Sequence, residues 1–197
     1  MTEDAGVQLA QELRGLIDDI VSTQPDDAVL GALVDDIASA RSRLDGLERS
    51  RYWERGEGSE GFMRWSPFRG SHNPTAPPLS IELIDDGTER YLAGTVTVGS
   101  VGEGPPSCVH GGIVAALHDE ICGAASSRLA ARPGGVTGRL EVKYRAPTPI
   151  NAPLRFEARL TADRGRRVMV TSTCYSGDRR CSDAEAMFVR PAPKGTQ

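Results

Sequence analysis

The residues best equipped for chemistry lie in one stretch, His110-Gly111-Gly112 followed by Asp119. A helix that begins at these glycines leaves backbone N–H groups free at its N-terminus. With no Cβ on either residue, an oxygen that carries or develops negative charge can approach them. The His110 imidazole beside them offers a further hydrogen-bond donor. Asp119 supplies a carboxylate that can activate water or attack directly, and donors aimed at a tetrahedral oxyanion complete what acyl transfer needs. The same residues also read as a tight turn followed by a capped or ion-paired aspartate, so the motif alone leaves both readings open.

The spacing predicts a helix from about 111 to 131, stopped by Arg132-Pro133-Gly134-Gly135. Along it Gly112, Ala116, Asp119 and Gly123 share one face, a stripe of small residues interrupted by a carboxylate. Ile113, Leu117 and Ile121 fall on another, apolar face suited to a sheet. At 1.5 Å rise per residue the Gly111-Gly112 turn and Asp119 stand about 10–12 Å apart, too far for one carbonyl to touch both. If both groups act, a two-fold dimer in which the Gly-Gly end of one helix faces Asp119 of its partner solves the problem.

Neighbouring candidates are weaker. His118 falls on an adjacent helix face and reads as packed or exposed, and Glu120 as an ion-pair member. Arg164, Arg166 and Arg167 form a basic cluster suited either to phosphates or to a solvated turn. His72 has no ligand partners in sequence, so no metal site is expected. Cys108, Cys122, Cys174 and Cys181 include no C-x-x-C pair and read as buried or half-buried thiols. A turn at Gly177-Asp178 would set Cys174 and Cys181 across a hairpin, where a disulfide needs an oxidising compartment.

The elements that must position these groups show period two from residue 79 on. Residues 79–84 and 91–98, then Leu140, Val142 and Tyr144, then Leu154, Phe156, Ala158 and Leu160, then 168–175 and 184–189, make about six strands. One long helix among antiparallel strands is an α+β layout with the helix laid across one face. Upstream the character differs. Leu9, Leu13, Leu16, Ile17 and Ile20, then Leu30, Leu33, Val34, Ile37, Leu44 and Leu47, follow helical spacing. Two helices broken at Pro25 are expected, with Asp26 and Asp27 in the first turn of the second, where the helix dipole favours negative charge.

We therefore expect an acidic helical extension over 1–50, an irregular linker over 51–73 and an α+β domain over 74–192. The linker is broken by glycine and proline yet holds Tyr52, Trp53, Phe62, Trp65 and Phe68, half of the chain's aromatics. These would pin it against the following domain or a partner subunit.

The stretch GEGPPSCVHGGIVAALHDEICG, residues 102–123, resembles the signature of hotdog-fold acyl-CoA thioesterases, the PaaI-like group of the 4-hydroxybenzoyl-CoA thioesterase superfamily. The likeness spans about residues 74–190 and includes Val136-Thr137 and the run Leu140 to Pro147. It implies a sheet wrapped around one helix, dimers with active sites shared at the subunit interface, and hydrolysis of an acyl-CoA thioester without metal or redox cofactor. Asp119 matches the family's general base or nucleophile. Gly111 matches the backbone donor to the thioester oxygen, with His110 assisting and Gly112 completing the turn. Thr137 matches a hydroxyl that orients Asp119 or the water. Many relatives carry Asn six residues before the histidine, where this chain has Gly104.

Composition excludes other classes. The chain has 197 residues, 39% hydrophobic and 25% charged, as in a globular protein and unlike disordered or fibrous chains. Residues 1–50 carry 11 acids against 4 arginines, a balance that repels nucleic acid. No apolar run approaches the roughly 18 residues of a membrane span, and the start is acidic where a signal peptide is basic, so a cytoplasmic chain is expected. Three functions compete. The first is thioester hydrolysis. The second is acyl-CoA binding without turnover, as a sensor whose acidic helices recruit a partner. The third, a hydratase, usually needs a histidine after the aspartate, and none follows Asp119. Acyl chain length and the choice between dimer and tetramer leave no mark in the sequence.

Overall fold

The structure, a computed structural model, describes residues 4–51, 54, 61, 63–132 and 135–191. The chain divides after Thr75 into two compact units.

The first unit contains helices α1 (Ala5–Ser22) and α2 (Asp27–Ser42). Each begins on an aspartate whose side chain accepts from an otherwise orphaned N–H: Asp4 from Gly6 and Asp26 from Val29, both at 2.9 Å. Asp27 occupies the first turn of α2. Polar fastening replaces a core here, since α1 buries only Ala10 and α2 buries nothing. The Arg14 guanidinium of α1 donates to the carbonyls of Gly70, Ser71 and Asn73 at 3.3, 3.3 and 3.0 Å. His72 Nε2 lies 3.2 Å from Asp4 Oδ1. It presses on Gly6 so closely that a Cβ there would fall 2.3 Å from the ring. Within this unit the aromatic segment is thus tied to α1 by its backbone carbonyls and His72. Trp65 packs against His72 with ring centroids 5.2 Å apart, and Phe68 is exposed. Tyr52, Trp53 and Phe62 lie outside the described residues.

The second unit is one six-stranded antiparallel sheet with a helix across it. Its strands are β1 (Ser80–Asp85), β2 (Arg90–Thr97), β3 (Val136–Tyr144), β4 (Pro153–Arg164), β5 (Arg167–Ser176) and β6 (Arg179–Val189). Their order across the sheet is β1-β2-β4-β5-β6-β3, which makes β3 an edge. Helix α3 (Gly111–Arg128) links β2 to that far edge. It ends three residues before the expected stop, and Pro133 and Gly134 of the stop signal lie outside the described residues. Alternate residues point at α3: Leu154, Phe156 and Ala158 of β4, Val168, Val170, Ser172 and Cys174 of β5, and Ser182, Ala184, Ala186 and Phe188 of β6 are all buried. From α3 they meet Val114, Leu117, Ile121 and Ala125. The helix comes close to β2 because Gly94 has no side chain; a Cβ there would lie 2.7 Å from Ile121 Cδ1. The hairpin turns fall at Gly165 and Gly177, whose φ values of +60° and +58° suit glycine. Cys122, Cys174 and Cys181 are buried and Cys108 half-buried, all as free thiols; Cys174 stands opposite Ser182 rather than Cys181. Among the described residues no helix is long and apolar enough to cross a membrane.

Candidate active site

The start of α3 is built by the loop before it. His110 is the N-cap, with non-helical φ and ψ of -57° and 133°, and its own N–H donates to the Gly102 carbonyl at 2.8 Å. Its imidazole turns back over the helix, so that Nδ1 accepts the Gly112 N–H at 3.0 Å. The Gly111 N–H meets no acceptor among the described residues. It is therefore the free donor at the positive end of an 18-residue helix. Gly104 fits tightly under the same histidine, since a Cβ at 104 would come 2.8 Å from His110 Cα and 3.1 Å from its ring. An asparagine cannot stand at 104 without displacing His110.

Two turns further along the helix, half-buried Asp119 accepts a hydrogen bond at Oδ1 from Thr137 Oγ1 at 2.9 Å. Strict alternation from Leu140, Val142 and Tyr144 would turn Thr137 away from the helix. A register shift between Thr137 and Arg139 reverses that, because it sets Thr137 opposite Phe188, a residue that faces α3. The extra residue of the bulge is Gly138, where a Cβ would crowd Val189 at 2.9 Å. One carboxylate oxygen is thus held by a hydroxyl, and the other is open to a water molecule.

Within the chain the five expected residues form two groups. Asp119 and Thr137 come together, as do His110, Gly111 and Gly112, but eight residues of helix separate Gly111 from Asp119, about 12 Å of rise. Strand β3 touches both groups. At its far end Tyr144 donates its hydroxyl to the Gly111 carbonyl at 2.7 Å. Tyr144 carried no functional expectation, although the alternation of Leu140, Val142 and Tyr144 already aimed it at the helix.

His118 lies on the sheet-facing side, fully buried. Its Nδ1 pairs with Ser172 Oγ at 2.6 Å and its Nε2 with Ser182 Oγ at 2.8 Å, while Phe156 meets it edge-on. Burial pushes its pKa down to about 4, against a weaker opposing pull from Asp183, so the ring is neutral. Cys122 donates to Ser172 Oγ at 3.2 Å, and burial pushes its thiol up to about 12. Both groups are structural.

Other candidates lie elsewhere. The cluster of Arg164, Arg166 and Arg167 forms the exposed β4–β5 turn, with Arg166 bonded to the Arg190 carbonyl. A cavity of about 290 Å3 opens on the outer face of the sheet, remote from Asp119. Within it Arg145, Arg180 and Thr173 all donate to Asp183. Among the described residues no group of three His, Cys, Asp or Glu side chains is arranged to hold a metal ion.

A six-stranded antiparallel sheet wrapped on one helix is a hotdog fold. Residues 107–183, within the second unit, match the family model described as thioesterase superfamily. A crystal structure of a thioesterase superfamily protein superposes with a TM-score of 0.81 at 28% identity, over 94% of this chain and 95% of that one. The PaaI protein of the E. coli phenylacetic acid degradation operon shares the fold, with a TM-score of 0.51 at 15% identity over 58% of this chain and 80% of its own. In sequence, the acyl-coenzyme A thioesterase THEM4 of Xenopus laevis is 31% identical over 108 residues, 53% of this chain. The match spans 47% of that relative, so the chain covers about half its length.

Proposed function

We propose that the protein hydrolyses an acyl-CoA thioester to the free acid and CoA. The observation that carries this reading is Asp119, a half-buried carboxylate with one oxygen held by Thr137, on a helix whose N-terminus offers the free Gly111 N–H. A water molecule bound to the open oxygen loses its proton to Asp119 and attacks the thioester carbonyl. Alternatively the carboxylate attacks first and the resulting anhydride is hydrolysed. The carbonyl oxygen becomes an oxyanion facing Gly111 N–H, with His110 Nε2–H as second donor and Gly112 closing the turn. Collapse breaks the C–S bond, and the departing CoA thiolate takes up a proton. Chemistry of this kind needs neither a metal nor a redox cofactor. The separation along α3 favours a homodimer in which Gly111 of one protomer works with Asp119 of the partner subunit, giving two equivalent sites.

The acyl-CoA thioesterase relative supports the substrate class. A panel of short, aromatic and long acyl-CoA substrates, with released CoA thiol as the signal, tests the reading. Asp119→Asn removes the base and lowers turnover on the order of a thousandfold while acyl-CoA still binds. Unchanged cleavage by that variant overturns the assignment of Asp119. Tight acyl-CoA binding by the wild type with no cleavage across the panel replaces hydrolysis with acyl-CoA sensing.

A further inference from the structure

Tyr144 closes β3 on the side that faces α3. Its hydroxyl donates to the Gly111 carbonyl at 2.7 Å, and its ring covers Gly111, with Cζ 3.4 Å from the place a Cβ would occupy. The carbonyl of Gly111 and the N–H of Gly112 belong to one peptide group. That N–H donates to His110 Nδ1 at 3.0 Å. A hydrogen bond accepted at one end of an amide polarises it and strengthens the donor at the other. Tyr144, the Gly111-Gly112 peptide and His110 therefore form a single directed chain of hydrogen bonds. A ring nitrogen that accepts a hydrogen bond carries no proton, so neutral His110 holds its proton on Nε2.

We propose that Tyr144 is a positioning residue that sets the ring orientation and the Nε2–H tautomer of His110 through the Gly111-Gly112 peptide. Its effect is to make His110 a donor beside the free Gly111 N–H. The crowding at Gly104 gives this device its purpose. The His110 ring fills the space that a side chain at 104 would need, so the ring rather than residue 104 supplies the second donor. One strand then governs both halves of the site, with Thr137 near its start holding Asp119 and Tyr144 at its end holding the donor turn. The catalytic part of this inference rests on the thioester reading; the tautomer does not.

Nitrogen-15 NMR of histidine-labelled protein at neutral pH separates a bare Nδ1 from a protonated one. The wild type is expected to show His110 with Nδ1 bare and Nε2 protonated. Tyr144→Phe is expected to show a mixture of both tautomers, with an unchanged melting temperature. On a hydrolysed acyl-CoA, Tyr144→Phe lowers kcat about tenfold with KM within about twofold, the order expected for one lost hydrogen bond felt in the transition state. In a His110→Ala background the same substitution costs nothing further, because its route of action is gone. A wild-type tautomer in Tyr144→Phe overturns the proposal, as do losses that multiply in the double variant. If no acyl-CoA is cleaved, the tautomer comparison still decides the role of Tyr144, and the thioester reading falls alone.

Discussion

On the sheet-facing side of α3, His118 is wholly buried between the hydroxyls of Ser172 and Ser182, whereas one residue on, Asp119 is half-buried and accepts from Thr137. A step of one residue turns the helix by about 100°, and this rotation separates a structural polar group from the carboxylate we propose as the base. Burial keeps the imidazole neutral, and both its nitrogens are occupied, so it registers the helix against β5 and β6. The carboxylate keeps one oxygen unclaimed at the margin of the fold. Polar groups in a core must be fully satisfied, while the base of the proposed reaction must be left partly unsatisfied, and α3 places the two kinds of group in consecutive positions.

The contrast is broken most severely from the sheet side. Phe156, fully buried and edge-on to His118, leaves a cavity when cut to alanine. Phe156→Ala is expected to lose about 3–5 kcal/mol in urea unfolding, with kcat per folded molecule nearly unchanged. A large fall in kcat at full folding would mean that the sheet face takes part in chemistry.

Next in size is the acid response of His118. Its folded pKa of about 4 lies below the ordinary 6.5, so between those values the unfolded chain binds a proton that the folded protein refuses. The stability tied to neutral His118 is complete above pH 6.5 and drains away as the pH falls towards 4, by up to roughly 3 kcal/mol. His118→Leu is expected to be less stable at pH 7, because two serine hydroxyls lose their partner, yet to show a flatter decline between pH 6.5 and 4. Parallel pH–stability curves for the two proteins would contradict the burial argument.

The smallest effect belongs to the site face. Thr137→Val keeps the shape of the side chain but removes the hydrogen bond to Asp119. It should lower kcat about five- to tenfold while moving stability by less than about 0.5 kcal/mol, as suits an exposed position. A stability loss larger than the loss in kcat would make Thr137 a structural residue like Ser172.

Much of this organisation is legible in particular residues. The alternation of Leu154, Phe156 and Ala158, and of Val168 to Cys174, marks strands because the period of two is set by backbone geometry alone. Asp26 and Asp27 after Pro25 mark the start of α2 because the helix dipole acts on charges within the first turn, although the structure uses Asp26 as the N-cap rather than in the turn. The proximity of His110, Gly111 and Gly112 follows from adjacency in the chain. The bulge at Gly138 escapes such reading: a glycine in a strand is compatible with several registers, and the choice is made by Val189 and Phe188 on β6. Arg14 likewise gives no sign that it gathers the carbonyls of residues 70, 71 and 73, some 56 positions or more away.

By itself the sequence determined the layout of one helix and six strands, and the placing of a carboxylate two turns beyond a glycine start. These depend on periodicity and on interactions within a few residues. Tertiary structure alone decided the bulge that turns Thr137 towards Asp119, that Tyr144 reaches the Gly111 peptide, that His110 leaves no room at Gly104, and that His118 belongs to the core. Each of those outcomes is a contact between elements far apart in the chain, settled by strand register and close packing, which linear spacing does not encode.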